Sequence, residues 1–187
     1  MQDIEPYDNW QYLYTSETDV RSPFYGREYD FQFSNTIYNY YIHPFWDDFG
    51  SGTLYLKVLM ADYEEQYMII ELIGEWNDAI ENDVMRLKRD VIDEFIRQGI
   101  RKFILITENV LNFHSSDDCY YEEWYEDVAE KNGWIVSLNM PSPPPSDFIP
   151  ARLNNYVEML SLSAWRTMKP DVLFNQVDNI LLRRLDE

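Results

Sequence analysis

The chain has 187 residues, enough for one domain with a substantial extension, and 45% of them are hydrophobic, which excludes wholesale disorder. Its 15 basic and 34 acidic residues leave a net charge of −19, a field that repels nucleic-acid phosphate and anionic membranes and attracts basic proteins or cations. No apolar run approaches the ~18–20 residues of a membrane span, the acidic opening MQDIEPYDNW lacks a signal-peptide pattern, and the single cysteine, Cys119, excludes an intramolecular disulfide, so a cytoplasmic protein is expected.

Residues 1–50 carry eight tyrosines, Trp10 and Trp46 but only two basic residues, Arg21 and Arg27. Phe31–Ile42 has strand-like aromatic and β-branched content, and the rest of this stretch shows no clean period. Tyrosine and tryptophan suit positions with one end buried and the other wet. An aromatic extension over 1–50 is therefore expected, packed on a main domain over 51–187 or presenting a surface to a partner.

From Leu54 the pattern sharpens. Leu54–Ala61 and Tyr67–Ile73 read as strands joined by the polar turn Asp62–Glu65. Asn77 or Asp78 can cap a helix whose apolar stripe is Ile80, Val84, Leu87, Val91 and Phe95, and Gly99 stops it. Lys102–Thr107 is a near-continuous apolar strand, the kind buried on both faces of a parallel sheet. A loop then leads to a second helix starting near Ser115 or Ser116, with the stripe Tyr121, Trp124, Tyr125 and Val128, ended by Asn132-Gly133. Trp134–Leu138 is the next strand. The stiff proline run Pro141–Pro145 precedes a third helix around Ile149–Leu160, with Pro150 in its first turn. Ser163–Met168 reads as a short last strand, and Leu173, Val177, Ile180 and Leu181 mark a final amphipathic helix. Two strands followed by helix–strand alternation make an α/β fold with a mostly parallel or mixed sheet and flanking helices, in the order β-β-α-β-α-β-α-β-α.

Two short motifs resemble the STAS family, named for sulfate transporters and anti-sigma-factor antagonists. Leu72-Ile73-Gly74-Glu75 before Trp76-Asn77 is similar to that family's strand-end L-x-G-E-L-D. Glu108–Ser116, ending in His114-Ser115-Ser116 and followed by Asp117, is similar to its loop ending in D-S-S-G. The resemblance covers about Leu54 to Leu185 in topology and implies a STAS-like domain. In antagonist members the first serine of D-S-S-G is phosphorylated by a partner kinase, so it implies a phosphorylation or partner site at Ser115, with His114, Ser116 and Asp117 around it. Here His114 stands in place of the aspartate and Asp117 in place of the glycine. A phosphate on Ser115 would face Asp117 and Asp118. At ~5 Å and an effective dielectric of ~20 each repulsion costs about 3 kcal/mol, more than the ~0.3–2 kcal/mol a helix dipole returns.

Read from the residues alone, Ser115 or Ser116 is an N-cap, its oxygen accepting from an orphan backbone N–H, with Asp117 and Asp118 suiting the positive helix end. Serine catalysis needs a base held by a third group, and His114, adjacent in sequence, leaves an extended backbone in the opposite direction. Cys119 lies among carboxylates that raise a thiol's pKa. Two histidines, His43 and His114, and no paired cysteines leave no zinc site, no loop has calcium spacing, and no glycine loop cradles a phosphate, so neither metal nor cofactor is expected. The like-charged ladder Glu122, Glu126 and Glu130 is a solvated face or a docking surface for a basic partner. The leading expectation is a non-enzymatic regulatory or scaffold module that binds a protein partner through the surface around Ser115–Glu126 and the aromatic arm, and neither nucleic acid nor membrane; self-association is compatible with it. The alternative is a small-molecule binding protein with an aromatic pocket formed by Tyr38, Tyr40, Trp46 and Trp76. An uncharacterised enzyme using Ser115 or His114 is the third class.

Overall fold

The computed structural model describes residues 2–33, 35–141 and 153–185. Its centre is a five-stranded mixed sheet with strands in sequence order: β4 (Leu54–Asp62), β5 (Tyr67–Asn77), β6 (Lys102–His114), β7 (Trp134–Leu138) and β8 (Glu158–Leu160). β4 and β5 form an antiparallel hairpin, while the β5–β6, β6–β7 and β7–β8 pairs are parallel. Parallel neighbours need crossovers. The first is helical from Asp83 to Arg97: α1 (Asp83–Arg86), a π-helical turn (Leu87–Ile92) and α2 (Asp93–Arg97). The second is α3 (Cys119–Ala129), and α4 (Pro170–Leu185) closes the fold. The α/β architecture with a mixed sheet is the one expected.

Alternation along β5 divides the core. Met68, Ile70, Leu72 and Trp76 join Val84, Leu87, Val91 and Phe95 of the first crossover and Tyr121, Trp124 and Val128 of α3. Tyr67 and Ile69 face the other way, with Ile104, Ile106 and Val136, onto Leu173, Phe174, Val177 and Leu181 of α4. The extension adds a small sheet, β1 (Gln2–Ile4), β2 (Thr36–Ile37) and β3 (Tyr40–Ile42), in the order β1-β3-β2. Ile37, Ile42 and Trp46 from this region pack on Tyr55 and Ile73. An antiparallel bridge, Asp47 to Leu56, lies along the outer edge of β4. Gly74 is indispensable where the two sheets meet: at φ +120° an added Cβ would lie 2.1 Å from the Thr53 carbonyl oxygen and 2.7 Å from Ile37 Cδ1.

Five local expectations are corrected. β6 does not stop at Thr107 but continues to His114. Register shifts against β5 between Glu71 and Ile73 and between Gly74 and Glu75 place Val110 and Phe113 in the core three residues apart, which hides the strand's period of two. The second helix begins at Cys119 with Asp118 at its N-cap position and no side-chain cap, so neither Ser115 nor Ser116 caps it. Ile80 is 81% exposed on a turn, outside the helical stripe it was grouped with. Of the expected helix around Ile149–Leu160, the described part is a 3₁₀ turn, Leu153–Asn155, followed by β8; Ser163–Met168 likewise holds a 3₁₀ turn, Trp165–Thr167, in place of a strand. The proline run beyond Pro141 and the start of that helix lie outside the described residues. Among the described residues no helix is long and apolar enough to cross a membrane.

Candidate functional site

The ends of β5 and β6 run past β4 and β7 and deliver two chains of residues to one rim of the sheet. β7 stops pairing at Leu138 opposite Ile106, whereas β5 and β6 stay paired to Asn77 and His114. The Asp78 N–H then donates to the His114 carbonyl at 2.8 Å, so the loop leaving β5 is fixed to the segment leaving β6.

Asp78 anchors this rim from below. It is buried, and its Oδ1 accepts from Trp76 Nε1 at 2.9 Å and from the Val84 N–H at 2.8 Å, while its Oδ2 accepts from the Tyr121 hydroxyl at 2.6 Å. One carboxylate thereby joins β5, the start of α1 and the first turn of α3. Loss of water pushes its pKa up to about 6 despite those three donors, and burial together with the facing Asp78 charge drives the Tyr121 hydroxyl well above its ordinary value. Asp83 supports the same loop, accepting the Asn77 N–H at 2.7 Å, and burial raises its pKa as well.

Above this anchor lies a groove of about 280 Å³, walled by Asp78, Ile80, Asn82, Ser116, Asp117 and Tyr120. Ile80 stands at its edge on a held loop, since the Ile80 N–H donates to Asn77 Oδ1 at 3.0 Å. Ser116 and Asp117 are exposed and Ser115 is half-buried. The Cys119 N–H donates to Asp117 Oδ1 at 3.3 Å, and hydrogen bonding to Asp117 raises the Cys119 thiol, as its carboxylate surroundings predicted. Among the described residues no hydrogen bond joins Ser115 or Ser116 to His114.

His114 belongs to a different contact. Its Nε2 lies 2.9 Å from Asn112 Nδ2 and 3.3 Å from Glu75 Oε1. Glu75 Oε2 accepts from the Tyr38 hydroxyl at 2.6 Å. Tyr38, at the turn between β2 and β3 with φ 52°, thus ties the extension to the rim beside the serines. That contact was invisible in the sequence, where Tyr38 and His114 belonged to separate hypotheses.

The aromatic pocket is not assembled. Trp76 packs with Phe113 and Tyr121 on the α3 side of the sheet, whereas Trp46 packs on Ile73 and Tyr55 on the opposite side. Tyr40 lines a void of only about 10 Å³, too small for more than one water. Tyr38 is 58% exposed. Trp46 instead borders a shallow cleft of about 210 Å³ with Tyr29, Asn35, His43 and Tyr55. Asp3, Glu5 and His43 converge within 4.8 Å. However, His43 Nδ1 accepts the Phe45 N–H at 3.2 Å, so Nε2 carries the ring proton and faces Glu5 as a donor instead of a metal ligand.

Beside the ladder, other carboxylates of α3 are engaged. Glu123 and Asp127 reach Lys88, and Glu123 also pairs with Arg89 at 2.6 Å. Glu122, Glu126 and Glu130 remain exposed.

No family model and no curated protein matches the chain. Solved structures similar to it include the anti-sigma factor antagonist SpoIIAA in its unphosphorylated form, 18% identical, with a TM-score of 0.48 over 66% of this chain and 96% of that one. The Bacillus cell fate determinant SpoIIAA in its phosphorylated form is 18% identical, with a TM-score of 0.42 over 65% of this chain and 98% of that one. A Thermotoga maritima protein named as an anti-sigma factor antagonist is 17% identical, with a TM-score of 0.44 over 66% and 94%.

Proposed function

We propose that this chain is a non-enzymatic regulatory or scaffold module of the cytoplasm that docks a basic protein segment in the groove ahead of α3. The observation that carries the reading is the groove itself: an apolar side chain, Ile80, fixed beside the exposed carboxylate of Asp117, in a chain of net charge −19. An apolar anchor within an acidic rim suits a partner with one buried hydrophobic residue among lysines or arginines. In this reading residues 1–50 are an extension packed on a domain over 51–187, and Tyr38 brings that extension to the same rim.

An enzymatic role finds no support in the geometry. Both oxygens of Asp78 are occupied by structural donors, and His114 is engaged with Glu75 and Asn112. In this reading a phosphate on Ser115 is disfavoured by the neighbouring carboxylates Asp117 and Asp118.

Affinity capture from a source-cell lysate at low salt tests docking, with the wild type, Ile80→Glu, Asp117→Lys and a distant control such as Asp171→Lys as baits. The expected result is a basic protein retained by the wild type and the control but reduced at least tenfold by both groove variants. Retention indifferent to Ile80 and Asp117, or no retained protein, would sink the proposal.

A further inference from the structure

The segment after β1 crosses the sheet face opposite α3 and is fastened there through one carboxylate. Glu71 sits midway along β5 with no solvent exposure. Its Oε2 accepts the backbone N–H of Tyr7 at 2.7 Å, and its Oε1 lies 3.3 Å from the Arg166 guanidinium. Tyr7 also donates its hydroxyl to the Arg166 carbonyl at 2.5 Å, and Trp10 Nε1 donates to the Met168 carbonyl at 3.0 Å. The rings of Tyr7, Trp10 and Trp165 meet edge-on and complete the cover.

A carboxylate withdrawn from water favours its neutral form unless its neighbours compensate. Compensation here is partial. Glu71 shares the single guanidinium of Arg166 with Glu108, which makes the closer contact with it, and that arginine is 43% exposed. Lys57, opposite Glu71 on β4, turns its ammonium instead to Asp47, Glu17 and Tyr29. The side chains that α4 brings to this face, Leu173, Phe174, Val177 and Leu181, are apolar.

We propose that the Tyr7–Trp10 segment is a proton-linked strap, closing over Glu71 with uptake of a proton and loosening as the medium becomes alkaline. Burial raises the Glu71 pKa from 4.5 to about 7 beneath the strap, and an uncovered glutamate returns to the ordinary value. Closing therefore binds a proton. It is most favourable below about 4.5, weakens as the pH rises to about 7, and changes little beyond that. Between pH 5.5 and 8.0 the closing equilibrium should fall roughly 30-fold.

Hydrogen–deuterium exchange on the full chain, with rates corrected for the intrinsic pH dependence of exchange, reads this directly in peptides spanning residues 6–14. In the wild type, opening of this segment should rise by about that factor from pH 5.5 to 8.0 relative to β5 and β6. Glu71→Gln keeps an oxygen to accept the Tyr7 N–H and carries no charge, so its protection should be the same at both pH values. Arg166→Gln removes the cation that favours the charged form and should extend the transition to higher pH. Equal protection of the wild type at both pH values overturns the proposal, and so does a pH response that survives in Glu71→Gln. Should Glu71→Gln fail to fold, an unshifted transition in Arg166→Gln overturns it instead.

Discussion

Asp78 is the residue on which three elements converge, and its ionisation has a sign that can be checked. Its folded-state pKa, about 6, stands above its ordinary value of 3.8 because burial penalises the charge more than its three donors repay it. The native state thus binds more protons than the unfolded chain between those values. The Asp78 contribution is fully present below about 3.8 and is lost as the pH rises through 6. Asp78→Asn keeps an acceptor for the Trp76 and Val84 donors and does not titrate. Urea unfolding should show wild-type stability falling relative to Asp78→Asn by about 2 kcal/mol from pH 4.5 to 7; parallel profiles would mean that Asp78 does not titrate in this window. Little of this was legible in the sequence. Asp78 read as a helix cap, and it does accept the Val84 N–H, but its links to Tyr121 and Trp76 come from tertiary packing across 43 residues and along the strand end. Ile80 read as helix core because it lies four residues before Val84, a spacing that cannot tell a helix from the turn preceding one.

At the level of elements, the stripe Val84, Leu87, Val91 and Phe95 is buried as read, and Trp134–Leu138 keeps its sequence-based bounds. Helical and strand periods were legible wherever apolar residues repeat without interruption. They failed in β6, where register shifts break the period, and around Leu160, where a 3₁₀ turn and a three-residue strand together mimic helical spacing. The π-helical turn was equally hidden, and within it lies a buried cation. Lys88 has no solvent exposure, and its Nζ contacts Asp127 of α3 at 2.7 Å as well as Asp93, pinning the first crossover to the second. Removing one partner of a fully buried pair costs ~3–5 kcal/mol. Here Asp93 and Asp127 retain 20% and 42% side-chain exposure and can rehydrate. Lys88→Met, which keeps most of the volume, should therefore cost about 1–2 kcal/mol in chemical denaturation, and Lys88→Ala visibly more because it adds a cavity. Equal costs for the two would show that packing around the stem contributes little.

For the whole molecule, the negative charge is unevenly engaged. Lys88 and Arg89 meet part of the α3 face and Arg166 meets Glu108, which leaves Asp117, Glu122, Glu126 and Glu130 turned to solvent on and just before α3. Composition predicted that field, whereas the groove beside it needed the tertiary meeting of the loop after β5 with the segment before α3. The extension also bears on how the sheet ends at β4. The outer edge of β4 would present unpaired backbone donors and acceptors along most of its length. The bridge at Asp47 and Leu56, with bonds of 2.7 and 3.1 Å, is the described backbone pairing that places the extension there. An uncovered strand edge is a template for copies of the same strand. Residues 51–187 expressed alone should then not give a smaller, quieter monomer. They should self-associate, seen as mass growing with concentration in light scattering, and a stable monomer at high concentration would refute this. The bridge would then act as a guard against polymerisation, with insolubility the consequence of its loss.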